Sequence, residues 1–355
     1  MKKFFLSYCL TCMLLVALTT AVHAEENYLS EKNAEPFAVN CSSISEISET
    51  LGNKNLTSSD GVVHTDLESV TSITAGSAGY YERDASTGDV HYVSPLELRG
   101  RSEEIPQYIP PELKDTDTPS LNSVIGSDTR ELVTTLSGPL YNHCKIISYF
   151  PNGSAALGTG FVVGTHKIAT AGHVLYDHGA GGWATRVVVY PASNGSSHPI
   201  GSYAATTFSV GGEWASSANP KDDWGLIKVG SDIGSKTGWL GRKAWNINDV
   251  VGKNVYIGGY PGDLNHASHN VNLAINARFY IANGQIRAGW TKELPGILHN
   301  VDTEEGQSGA PLFGYENGLG YTAYAIHNYG VGQASSSYNA AVLMNDWLLN
   351  AINKF

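Results

Sequence analysis

The sequence predicts an all-β domain of about 230 residues, a barrel or a sandwich closed by a single helix, behind an acidic leader region. Three observations lead there. Short β-type runs separated by Gly, Asn, Ser and Pro fill the last two thirds of the 355 residues. Helical spacing of apolar residues occurs only at the C-terminus. The net charge of −11 is also unevenly spread. Residues 123–355 hold 14 Lys and Arg against 15 Asp and Glu, so nearly all of the acidity lies in residues 1–122.

Taken in order, residues 1–24 read as a secretory signal peptide. Lys2 and Lys3 precede an apolar stretch from Phe4 to Leu18, and small residues end in "AVHA". That stretch is short for a membrane span, and no later segment offers about 18 uninterrupted apolar residues. Secretion to the periplasm or the medium follows, with no membrane association once the signal is removed. Residues 25–122 are rich in Ser, Thr, Asn and acids and finish in "EEIPQYIPPELKDTDTPSLNS", the texture of an exposed, easily cut linker. The near-neutral remainder argues against a polyanion partner, so no nucleic acid is expected. Of the four cysteines only Cys41 and Cys144 survive signal removal. Either they pair, or Cys144 in "NHCKIISYF" is a buried strand thiol.

The β-type runs are "KIISYF", "TGFVVG", "HKIATA", "TRVVVY", "WGLIKV", "KNVYIGGY", "INARFYIANGQIRAG" and "YTAYAIHNYG". The final "NAAVLMNDWLLNAINKF" carries Val342, Leu343, Trp347, Leu348 and Ile352 at helical spacing. Composition, at 42% hydrophobic and 15% charged, is that of a globular protein.

Three places carry chemistry. His173 in "KIATAGHVLYDH" follows a strand, Asp223 in "NPKDDWGLIKV" opens one, and Ser308 lies in "DTEEGQSGAPLFG". Singly each has a structural explanation, since Asp, Gly and Ser are ordinary turn residues. Together they are the set that acyl transfer needs: a nucleophile, a base to take its proton, and a buried acid to fix the tautomer of that base. Asp223 precedes the apolar run directly, so it is the acid, and Asp222 is expected to face solvent. Gly306 lacks a Cβ, so its N–H can converge with that of Ser308 on one oxyanion. No HExxH motif and no Cys/His ligand cluster occurs, so neither a metal nor a cofactor is expected.

"TAGH", "DDWGLIKV" and "GQSGAPLF" resemble, in that order, the catalytic blocks of chymotrypsin-like serine proteases. More narrowly, "SVIGSDTR", "GYPGD", "DTEEGQSGAP", "AIHNYG" and "SSSYN" resemble the bacterial glutamyl endopeptidases over residues 123–355. The resemblance implies two six-stranded antiparallel Greek-key β-barrels with a C-terminal helix, preceded by the signal peptide and a pro-segment over residues 25–122. It places a maturation junction at Asn122–Ser123. It implies a His173–Asp223–Ser308 triad, an oxyanion hole from Gly306 and Ser308, and Thr303 and His327 as receivers of a substrate carboxylate. The expected activity is secreted endopeptidase action on proteins or peptides after Glu, less after Asp. Departures from the pattern are Val174 where a Cys often follows the histidine, Gln307 where digestive proteases have Asp, and the charges of Glu304 and Glu305. Asp302 falls where trypsin-like enzymes hold the acid for Lys or Arg, so basic specificity is the alternative. A protease-like binding protein without useful turnover is the other.

Overall fold

The computed structural model describes residues 79–98, 103–114, 128–266, 271–291, 294–331 and 337–355. The signal peptide, Cys41 and the Asn122–Ser123 junction lie outside these residues. Strands β1 (Tyr80–Asp84) and β2 (Val90–Val93) form a hairpin, and β3 (Glu131–Leu132) is a short strand ahead of the barrels. The first barrel contains β4 (His143–Tyr149), β5 (Ala155–Val162) and β6 (Lys167–Thr170). A small ribbon, β7 (Tyr176–Asp177) with β8 (Gly182–Trp183), precedes β9 (Arg186–Pro191), β10 (Tyr203–Gly211) and β11 (Gly225–Val229). The order is β11-β6-β5-β4-β9-β10, and pairing of β10 with β11 closes six strands into a barrel.

The second barrel follows β12 (Gly241–Arg242), which pairs in parallel with a later strand. It consists of β13 (Asn254–Gly259), β14 (Tyr280–Thr291), β15 (Leu294–His299), β16 (Pro311–Glu316), β17 (Gly320–Tyr329) and β18 (Asn339–Leu343). The order β17-β16-β13-β14-β15-β18 closes through β17 and β18. The two six-stranded antiparallel barrels that the resemblance implies are thus present, each closed on itself, and the stretch of β10 beyond its short pairing with β9 keeps an edge that another strand can take.

The C-terminal run divides differently from its apolar spacing. Val342 and Leu343 belong to β18, which is buried along its whole length between β15 and β17. A strand covered on both faces reads as a continuous apolar run, and such a run fits helical spacing as well. The helix begins only after Asn345, whose side chain accepts the Leu348 N–H at 2.9 Å. It spans Asp346–Lys354 and buries Leu348, Leu349, Ala351 and Ile352.

The barrels are pinned to each other through a buried cation. Lys145 of β4 is fully buried, and its ammonium is received by the carbonyls of Ile275, Ala277 (3.3 Å) and Gly195 (3.5 Å). It lies between the rings of Tyr190 and Tyr260, and burial pulls its pKa down to about 7. Cys144 next to it is a free, buried thiol.

Candidate active site

Strand ends of both barrels meet at one cleft. From the first barrel, β6 runs into a single 3-10 turn, Gly172–Val174, that carries His173. Gly172 has a steric reason, because a Cβ there would sit 2.8 Å from Asp223 Oδ1 and 2.9 Å from the Trp214 ring. The close approach allows two hydrogen bonds to one carboxylate. The His173 backbone N–H donates to Asp223 Oδ1 at 2.7 Å, and Nδ1 pairs with Oδ2 at 2.8 Å. With its hydrogen on Nδ1, the ring leaves Nε2 as a proton acceptor.

Asp223 is fully buried at the mouth of β11. Its carboxylate also takes a hydrogen bond from the Tyr329 hydroxyl, and Asn328 Nδ2 donates to its backbone carbonyl. Burial alone would disfavour a charged His173. The charge and hydrogen bond of Asp223, with Asp177 adding, outweigh it and raise the imidazole above its ordinary value of 6.5. Trp214 and Tyr329 flank the ring, with centroids 6.2 and 6.0 Å away.

Asp222 does not face solvent. Its Oδ2 accepts the Glu213 N–H at 2.8 Å and its Oδ1 the Trp224 indole N–H at 2.6 Å, while burial pushes its pKa up to about 7. Alternation along the strand would have turned it outward, but residues 220–222 form a 3-10 turn that folds it back under Trp224. The assignment of the buried acid to Asp223 is unaffected.

The second barrel contributes Ser308. Both flanking glycines have left-handed backbones, with φ of +93° at Gly306 and +89° at Gly309. A Cβ would meet the Tyr260 carbonyl at 2.4 Å in the first case and the Thr159 carbonyl at 2.1 Å in the second. The loop is tied across to the first barrel by Thr159, whose Oγ1 donates to the Gly306 carbonyl at 2.8 Å and whose N–H donates to the Ser308 carbonyl at 2.9 Å. Among the described residues the N–H groups of Gly306 and Ser308 meet no acceptor. Gln307 is fully buried and fixes the loop from within, its Oε1 accepting the Glu304 N–H at 3.0 Å. A neutral amide thus occupies the place where the digestive proteases have Asp.

His173, Ser308, Thr303, His327 and Asn339 line a single cleft of about 620 Å³, together with Asp302, Glu304, Glu305 and Tyr329. The hydrogen positions on its far wall follow from a chain of contacts. Val301 N–H donates to His299 Nδ1 at 3.3 Å, so His299 carries its hydrogen on Nε2 and donates it to His327 Nδ1 at 3.2 Å. His327 then carries its own hydrogen on Nε2. Burial first, and then the nearby charge of His173, push His327 down to about 3 against the opposing Ala340 carbonyl, so the ring is neutral. Likewise Asn339 Nδ2 donates to Thr303 Oγ1 at 2.8 Å, which leaves the Thr303 hydroxyl hydrogen to point elsewhere.

Asp302 is occupied. Its Oδ2 accepts both the N–H and the hydroxyl of Thr129, at 2.9 and 2.7 Å. The adjacent Arg130 bridges Asp128 and Asp263, which anchors that segment to the "GYPGD" turn. Of the six residues singled out from the sequence, His173, Ser308, Thr303 and His327 line this cleft, Asp223 lies behind His173, and Gly306 stands two residues before Ser308 in its loop. The sequence reading missed Tyr329, His299, Asn339 and Thr129. Asn339 and Thr129 lie in the blocks "SSSYN" and "SVIGSDTR", and that was the one signal available for them. No group of three or more His, Cys, Asp or Glu among the described residues is placed to hold a metal ion.

The Trypsin-like peptidase domain family matches residues 158–319. A curated protein of Bacillus subtilis, named an extracellular metalloprotease, is 32% identical over 67% of this chain and 71% of its own length. A glutamyl endopeptidase of Bacillus licheniformis is 34% identical over 62% of this chain and 65% of its own. Among solved structures, a Glu endopeptidase in complex with MPD aligns with a TM-score of 0.52 at 23% identity, over 65% of this chain and 99% of that one.

Proposed function

Because this chain belongs to the trypsin-like serine peptidases, we propose that it is an exported endopeptidase, made as a precursor, that cuts peptide bonds after glutamate and more slowly after aspartate. One arrangement carries the reading: a serine and an acid-held imidazole share a cleft whose far wall is made of neutral hydrogen-bond donors. Ser308 Oγ attacks the scissile carbonyl while His173 Nε2 takes its proton. Asp223 holds the ring and offsets the charge that forms. The N–H groups of Gly306 and Ser308 receive the oxyanion, and His173 returns the proton to the leaving amine. Water then repeats the attack on the acyl-enzyme.

Specificity rests on the wall. A glutamate carboxylate entering the cleft meets the Thr303 hydroxyl hydrogen and the His327 ring, and a desolvated carboxylate is stable only where donors receive it. At Asp302, the acid a lysine or arginine would seek, Oδ2 already accepts both Thr129 donors, which weakens that carboxylate as a partner for a cation. Glu304 and Glu305 are exposed, so solvent and salt screen their repulsion. The N-terminal region, residues 25–122, accompanies the domain of residues 123–355 until the linker is cut.

Incubation of the purified protein with a denatured substrate, followed by identification of the new termini, tests the proposal. Cuts after Glu are expected, with labelling of Ser308 by a phosphonylating reagent. Cuts confined to Lys and Arg would overturn the specificity, and an unlabelled serine without turnover would support the binding-protein alternative.

A further inference from the structure

The described part of the N-terminal region does not hang loose. Strand β1 pairs with β10 over five residues, from Tyr80 opposite Gly211 to Asp84 opposite Thr207, and so covers an edge that β9 leaves bare. Tyr80, Val93 and Leu98 are buried in the main core cluster, and the Tyr80 ring stands edge-on to Trp224 at 5.8 Å. Farther along, Ile105 exchanges two backbone hydrogen bonds with Arg242, and Tyr108 exchanges two with Trp239. Gln107 donates its N–H to the Leu319 carbonyl and accepts the Tyr321 N–H on its side chain. The segment therefore grips both barrels.

The protease domain is shaped to receive it. A Cβ on Gly212 would lie 2.5 Å from the Gly79 carbonyl, one on Gly238 would lie 2.2 Å from the Tyr108 carbonyl, and one on Gly320 would lie 2.6 Å from Gln107 Oε1. At each of these the domain omits a side chain where the segment passes. The Gly212 N–H donates to the Gly79 carbonyl at 2.9 Å, and the next N–H, of Glu213, donates to Asp222 beside the catalytic acid. None of the described residues between 79 and 114 lines the catalytic cleft, so substrate entry does not require their removal.

We propose that residues 79–114 remain bound to the protease domain after the linker is cut, so that the mature enzyme is a non-covalent two-chain particle whose small chain supports the turn bearing Asp222 and Asp223. The proposal rests on the precursor reading only for how the two chains arise. Released, the small chain would leave the outer edge of β10 unpaired and the face of Trp224 open to water, a form prone to edge-to-edge association. Retained, it completes the first sheet at eight strands.

The test uses the full chain with a specific protease site placed between residues 115 and 122, cut under native conditions and passed over a gel-filtration column. The small chain is expected to co-elute with the domain, and phosphonylation of Ser308 is expected to keep its rate. Gly212→Ala, which intrudes on the Gly79 carbonyl, should release the small chain and slow labelling by about a hundredfold, as displaced catalytic groups do. Added synthetic peptide of residues 79–114 should restore the unsubstituted cut enzyme after it is stripped in mild urea. If Gly212→Ala does not fold, Tyr80→Ala on the small chain reads the same retention. A small chain that elutes apart from a fully reactive domain overturns the proposal. Mass analysis of naturally secreted enzyme separates the two readings: a single uncut active chain removes the precursor reading and leaves the co-elution result standing. A naturally cut, active domain without the small chain removes the proposal.

Discussion

The two barrels contribute to the cleft by opposite means. The first supplies charge that is held: Asp223 is fully buried, binds His173 twice, and raises its pKa. The second, apart from the carboxylates of Asp302, Glu304 and Glu305, supplies neutral groups with fixed hydrogens: the N–H pair at Gly306 and Ser308, the His299–His327 relay, and Thr303 oriented by Asn339. Charge speeds proton transfer where it is paired and immobile, whereas neutral donors receive a substrate charge without repelling the imidazolium. A cationic pocket beside His173 would lower that histidine's pKa and compromise the base. On the proposed reading, this division lets one small cleft hold a proton-accepting imidazole beside a wall of donors that would receive a glutamate carboxylate.

Removal of the nucleophile should break both halves at once. Ser308→Ala is expected to leave folding intact and lower kcat by several orders of magnitude, roughly 10⁶ in the comparable subtilisin case. A variant that keeps more than about a tenth of wild-type kcat, about 1.4 kcal/mol of barrier, would remove the serine from the mechanism.

Asp223→Asn attacks the charged half alone. The expected loss is about 10⁴ in kcat, the size seen when the acid of another triad is made neutral. Activity rises with pH as His173 loses its proton, and because Asp223 holds that proton the acid limb of kcat/KM should have its midpoint above 6.5. In Asp223→Asn the midpoint should move down. For stability the sign reverses: the raised imidazole stabilises the fold below its unfolded value and loses that contribution as pH rises through the folded one. Asp222→Asn keeps the triad and should cost about tenfold in rate or less, chiefly through one lost acceptor for Glu213 or Trp224. A larger loss from Asp222→Asn than from Asp223→Asn would reassign the acid.

The sharpest parts of this comparison were legible in sequence because they are local. Gly172, Gly306 and Gly309 each sit where a Cβ would strike a neighbour, so the "TAGH" and "GQSGAP" blocks record the tight geometry directly. The neutral half was only half legible. Thr129 reaches Asp302 across 173 residues, and His299 reaches His327 across 28 over the intervening β18, and no short motif encodes either. Val342 and Leu343 fit a helix by spacing and a strand by burial, and only the neighbours β15 and β17 decide. The hairpin of β1 and β2 was hidden by composition, since "YYERDASTGDVHYV" sits in an acidic, polar region. Its turn is nonetheless locally specified, with Asp84 Oδ1 accepting three hydrogen bonds from Ser86 and Thr87 ahead of a left-handed Gly88.

His327→Ala attacks the neutral half. Hydrolysis after Glu should fall by about a hundredfold or more, because a carboxylate left without its donor is costly to bury. Hydrolysis of small esters after neutral residues should persist at the wild-type rate. Equal loss on both substrates would mean that His327 supports the Ser308 loop, to which its carbonyl is tied through the Gly309 N–H at 2.7 Å, rather than the substrate.

The smallest effect is expected at Asn339, which lines the cleft and, on the proposed reading, bears on specificity through Thr303. Its Nδ2 donates to Thr303 Oγ1 at 2.8 Å and to the Val301 carbonyl at 2.7 Å, so the threonine hydroxyl must spend its own hydrogen in another direction. In Asn339→Ala that constraint disappears but the hydroxyl survives. KM for a Glu substrate should rise by about five- to tenfold, the worth of one neutral hydrogen bond, with kcat little changed. Asn339→Asp separates orientation from mere contact, because an ionised carboxylate can only accept. It would draw the Thr303 hydrogen toward itself and place a negative charge beside the incoming glutamate. KM should then rise further than in Asn339→Ala, and the excess should shrink as pH falls and the new carboxyl is protonated. Equal effects of Ala and Asp, independent of pH, would mean that Thr303 receives the substrate without help from Asn339.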